Sequence, residues 1–153
     1  MRRPTVSWAT MILLVAAVLG GCQGDKENDM DVQQRAEAAA EKNRQHVDDL
    51  VERLGGVGAK VVGDDIIDCD PQDPDAGLLH NYTVRFTAPE GAETRLKGEV
   101  ADALEAEGWT VRRDPDTERE ISLRFLRDGT SLGAKLAVHS DGATAGGSSG
   151  CVR

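Results

Sequence analysis

The sequence predicts an α+β fold, a two-layer sandwich with two helices on one face of a mostly antiparallel sheet. Three observations predict it. Residues 31–54 and 92–107 repeat apolar side chains at three- and four-residue steps, the helical period. Shorter stretches near 59–67, 79–87, 109–111, 121–127 and 132–138 gather or alternate β-branched, leucine and aromatic residues, as strands do. Turn residues separate them, most clearly in Asp70-Pro71-Gln72-Asp73-Pro74-Asp75 and in Asp128-Gly129.

The chain opens with Met1-Arg2-Arg3 and an apolar run from about Trp8 to Leu19. That run holds about a dozen residues, short of the roughly 20 a spanning helix needs. A positive start, short apolar core and small-residue exit form the pattern of a processed export signal. The run closes in Leu19-Gly20-Gly21-Cys22, which resembles the lipobox of bacterial lipoproteins. The resemblance implies a lipoprotein signal peptide over 1–21 and a mature chain that starts at a lipidated Cys22. A plain secretory signal with an incidental thiol is the alternative. Two acyl chains anchor stably where one is marginal. Residues 22–30 comprise the cysteine and a polar tether without periodicity. Residues 31–153 make up one domain's worth of chain.

The first helix runs from Asp31, a capping residue, to Leu54, with Gly55-Gly56 as its stop. Its apolar stripe is clearest in Val47, Leu50, Val51 and Leu54. The polar run from Glu41 to His46 predicts a first half that projects as a partly exposed stalk. A weak strand follows at 59–67, interrupted at Gly63-Asp64-Asp65 by a turn or bulge. The next strand is cleaner, with Tyr82, Val84 and Phe86 on one face and Thr83, Arg85 and Thr87 on the other. The second helix buries Leu96, Val100, Ala103 and Leu104, while Gly98 either weakens it or permits close packing. Trp109–Val111, Ile121–Arg127 and Leu132–Val138 then read as an antiparallel meander. The tail from Asp141 to Gly150 is rich in Gly, Ala, Ser and Thr and is expected to be irregular, held only at its end by Cys151.

The formal net charge is −9, which argues against nucleic acid or anionic lipid headgroups as direct partners. Besides Cys22 there are two cysteines, Cys69 and Cys151. Outside the cytoplasm such a pair is expected to be a disulfide; a metal-binding pair or a reactive thiol are the alternatives.

No motif announces catalysis. The aspartates from Asp64 to Asp75 lack the glycine and glutamate placement of a calcium loop and read as an acidic surface loop. His46, His80 and His139 have no metal-ligand spacing, so no metal or cofactor is expected. Ser122 and Ser131 have no recognisable nucleophile setting, and Gly55–Lys60 is a helix stop rather than a phosphate loop. The sheet face away from the helices, with Arg85 and Arg124, is the candidate binding face.

The lipobox, the acidic alanine-rich first helix, Gly108-Trp109-Thr110-Val111 and Ser149-Gly150-Cys151-Val152 are together similar to small exported lipoproteins of actinobacteria. That resemblance implies a location at the cell membrane, on its outer side and held by lipid. It also implies the Cys69–Cys151 link, and it supplies no catalytic residue. The function expected is a cell-envelope binding or accessory module, with an envelope protein or cell-wall polymer as partner. An envelope enzyme with a site assembled from distant residues, or a purely structural surface protein, are the alternatives.

Overall fold

The computed structural model of the chain describes residues 31–137, 140 and 142–153. The leader, Cys22, the tether, Val138 and His139 lie outside the described residues.

Helix α1 (Val32–Arg53) starts where Asp31 accepts a hydrogen bond from the backbone N–H of Gln33 at 2.9 Å. It stops at Gly55, whose φ of 71° is the left-handed conformation that glycine adopts without strain. The Gly56 N–H then reaches back to the Val51 carbonyl at 2.9 Å, closing the helix end. The expected stalk is not there. Ala36 and Ala40 are as buried as Val47, Leu50 and Leu54, so the helix is seated along its length. Alanines at four-residue spacing let the helix backbone come close to the sheet.

Strands β1 (Val57–Asp68) and β2 (Leu78–Thr87) pair antiparallel, with irregularities in β1 between Val57 and Lys60 and between Val61 and Gly63. The bulge expected near Gly63 is therefore present, within one continuous strand. The second helical rod follows as α2 (Ala92–Arg95), a π-helical turn (Leu96–Val100) and α3 (Ala101–Ala106). The wider turn advances the phase of the stripe, so Ala101 is buried in the place expected of Ala103. Strands β3 (Thr110–Arg113), β4 (Glu120–Arg127) and β5 (Thr130–Ala137) form the expected meander.

The tail departs most from expectation. Gly142–Ser148 is a strand, β6, and it lies in the middle of the sheet. The order is β1-β2-β6-β5-β4-β3, antiparallel throughout. Its small residues suit that place. Ala143 and Ala145 pack into the core, and a Cβ on Gly147 would run into the Asn43 side chain of α1. Composition that reads as coil is here the price of a helix lying close over a central strand.

Both helical rods cover one sheet face, and the core between them includes Leu50, Leu54, Phe86, Leu96, Trp109 and Phe125. Every aromatic side chain among the described residues, Tyr82 included, is buried on that side. Cys69 and Cys151 are bonded, with their Cα atoms 5.9 Å apart. Beside the disulfide, Leu78 and Val152 exchange backbone hydrogen bonds of 2.9 and 2.8 Å. Gly77, with φ of 94°, leaves room for the Val152 carbonyl, which a side chain would block.

Candidate functional site

The open face of the sheet carries a concavity of about 680 Å³. Its origin lies in the register. Gly133 on β5 and Gly146 on β6 are direct partners, and the row continues to Thr83 on one side and Arg124 on the other. Two adjacent positions without side chains make a trough across the two central strands. A Cβ at Gly133 would lie 3.1 Å from the Leu123 carbonyl, and one at Gly146 would lie 3.2 Å from Thr83 Oγ1. The rows on either side supply Ser131 and Ser148, and Lys135 and Thr144.

The two arginines of the expected binding face both project to this side, but the structure does not bring them together. Arg85 belongs to the row of Thr144 and Lys135, and β2 is three strand spacings from β4. Three spacings of about 4.8 Å and an offset of one row, about 6.8 Å, put them roughly 16 Å apart. Arg124 lines the trough and Arg85 does not. Arg124 is also committed. It donates to both Asp114 carboxylate oxygens, from Nε at 3.1 Å and from a terminal nitrogen at 2.7 Å. That fork holds the Asp114 carboxyl below the usual carboxylate range, and Ser122 Oγ adds a weak contact at 3.5 Å. Lys135 pairs with Glu120 at 3.1 Å. The trough thus offers hydroxyls, backbone groups, the internally neutralised Arg124–Asp114 pair and Lys135 paired with Glu120. It holds no activated nucleophile and no histidine among the described residues, and it suits a polar, hydroxyl-bearing ligand better than a bare anion.

A second polar cluster lies under α1, and sequence reasoning missed it. His80 is fully buried. Its Nε2 lies 2.7 Å from Asp64 Oδ1, and its Nδ1 lies 3.0 Å from Asn43 Nδ2. The same amide nitrogen also faces the His80 and Gly147 carbonyls at 3.2 and 3.0 Å. Two carbonyls require a donor, so the amide is oriented with its nitrogen toward them, and His80 Nδ1 must accept. The imidazole is therefore the Nε2–H tautomer, donating to Asp64. Asn43 Oδ1 is buried and has no hydrogen-bond partner among the described residues. Arg44 donates to both Asp64 oxygens at 2.9 to 3.1 Å, sharing Oδ1 with His80. Arg44 first, then His80, holds the Asp64 carboxyl below its ordinary range. Both ring nitrogens are used, and the cluster joins α1, β1, β2 and β6. Its one sequence signal was His80 in a strand, on the same face as Tyr82 and Val84.

A third cluster meets α1 within a turn of Asn43, at His46. The Arg127 guanidinium lies 4.3 Å above the Trp109 ring, and His46 meets that ring edge-on at 5.3 Å. Burial, and then the Arg127 charge, push the His46 imidazole below its usual range.

No group of histidine, cysteine, aspartate or glutamate side chains among the described residues is arranged to hold a metal ion. No described helix is long and apolar enough to cross a membrane. Comparison with family models, curated proteins and solved structures finds no match.

Proposed function

We propose that the protein is an exported, lipid-anchored binding module that holds the open sheet face toward a polar, hydroxyl-bearing ligand of the cell envelope. Cys22, the first residue after the leader, would carry the lipid. The trough over Gly133 and Gly146 supports the binding half of the reading: it is a concavity that spans four strands on the face the helices leave open. A segment of cell-wall polymer fits its chemistry, because hydroxyls meet hydroxyls and neutral hydrogen bonding needs no unpaired charge. Residues 22–30 would let the domain reach away from the bilayer, by at most about 30 Å when fully extended.

The two halves are tested separately. Cys22→Ser should move the protein out of the membrane fraction or leave its leader uncleaved; normal processing and fractionation would refute the anchor. Ser131→Trp should fill the trough without touching the core. Envelope polymer retained by the wild-type chain should be lost with this variant and kept with Arg85→Ala, which lies outside the trough. Equal retention by all three would refute the binding face.

A further inference from the structure

The large apolar side chains that are exposed among the described residues all lie on one strand. Val57 (61 %), Val61 (56 %), Val62 (54 %) and Ile67 (44 %) belong to β1. This strand is also an outer edge of the sheet, bonded to β2 alone. It is 12 residues long, so a long row of backbone N–H and C=O groups faces outward without a strand partner among the described residues. The opposite edge differs. β3 has 4 residues and ends in Arg112-Arg113, short and cationic as protected edges are. A long apolar edge is a template for another extended chain.

The register narrows where such a chain would lie. Both irregularities of β1 fall before Gly63, and from Gly63 to Asp68 it pairs with β2 without interruption. Charge narrows what the chain would be. Asp64 is taken by Arg44 and His80, but Asp65 and Asp68 are exposed and form no ion pair among the described residues. A second copy of this strand is a poorer occupant than a basic chain, because over Gly63–Asp68 it brings three aspartates and no lysine or arginine, and in the registers centred on Asp65 or Ile66 it sets carboxylates directly opposite each other, which is destabilising. An added strand with a basic residue opposite Asp65, another opposite Asp68, and β-branched residues opposite Ile66 and Ile67 meets both needs.

We propose that the outer edge of β1, over Gly63–Asp68, accepts an extended basic peptide segment of another protein as a seventh strand, with the pattern Lys-Val-Val-Lys as its simplest form. Backbone hydrogen bonds hold the segment, the isoleucines cover its valines, and the two free aspartates select its charge. The proposal is independent of the anchor and of the trough.

The test uses the full chain in mild detergent and a fluorescent, end-blocked hexapeptide, Thr-Lys-Val-Val-Lys-Thr. Anisotropy should show it binding about fivefold or more tightly than the Thr-Glu-Val-Val-Glu-Thr analogue, the range of two exposed ion pairs. A copy N-methylated at both valines should not bind, because one methyl group must face β1. Asp65→Lys with Asp68→Lys should reverse the preference; should that variant fold poorly, Asp65→Asn with Asp68→Asn should abolish it. Ser131→Trp should leave peptide binding unchanged. Equal affinity for both peptides, binding of the N-methylated copy, indifference to the aspartate variants, or self-association that excludes the peptide would each overturn the proposal.

Discussion

Gly147 of β6 lies directly beneath Asn43 of α1: its carbonyl accepts from Asn43 Nδ2 at 3.0 Å, and its α-carbon leaves no space for a methyl group. Val47 Cγ2 and the Ser131 carbonyl would each stand 3.0 Å from such a group. One glycine thus sets how closely the first helix approaches the centre of the sheet. Gly147→Ala should destabilise the fold by about 1–3 kcal/mol, the usual cost of overpacking. Urea unfolding would measure it, and an unchanged midpoint would mean that α1 is not seated there.

Gly98 is the opposite case. A Cβ there would meet nothing within 4 Å, and its φ is not in the left-handed region. Close packing is therefore not what this glycine supplies. Gly98→Ala should stabilise by roughly 0.4–1 kcal/mol, chiefly by restricting the unfolded chain. The thermal midpoint should rise; a fall would show that the π-helical turn itself depends on the glycine.

Reducing the Cys69–Cys151 bond should cost about 4.5 kcal/mol on the chain-entropy account, since the cysteines are 82 positions apart. Cys69→Ser with Cys151→Ser should give a similar loss, read by denaturant unfolding. The Leu78–Val152 bonds and β6 should persist in the reduced protein, because β2 and β5 hold that strand independently. Hydrogen exchange at residues 143–147 would report it, and loss of their protection on reduction would contradict the expectation.

Acid should destabilise the protein in two stages. His46 has its folded imidazole below the ordinary value of about 6.5, so the unfolded chain takes up the proton first. Its contribution is complete above about pH 6.5 and is lost as pH falls through the lower folded value. Arg127 opposes protonation there, while Asp49 and Glu107 favour it. Asp64 and Asp114 have depressed folded values, so their contributions are complete above the ordinary carboxylate value of about 3.9 and disappear below it. Unfolding free energies measured across this range should show both stages. His46→Gln should remove the first and leave the second; a first stage that survives the substitution would assign it elsewhere.

Much of this fold was legible in the residues. Tyr82, Val84 and Phe86 alternate with Thr83 and Arg85, and that pattern oriented β2 and hence the whole sheet. Asp128-Gly129 gave the β4–β5 turn, with Asp128 at the positive φ of 49° that such turns need. β6 escaped because its apolar positions are filled by Ala143, Ala145 and Gly147, too small to register as hydrophobic, although they alternate at the strand period. The open face was legible as a face, but not as a site. Arg124 and Asp114 meet only because β3 and β4 form a hairpin, and the trough exists only because β6 sets Gly146 beside Gly133. The His80 cluster needed the same knowledge of partners, since its four residues come from three elements.

The central position of β6 has a consequence for timing. Synthesis delivers residues 57–137 before residues 142–148, so β2 and β5 emerge with a gap between them that only a later segment can fill. Until that segment arrives, the sheet is a β1–β2 hairpin and a separate β3–β4–β5 meander. The nascent polypeptide cannot close early. Under the proposed export, that late closure would leave the sheet incomplete until its last strand has crossed.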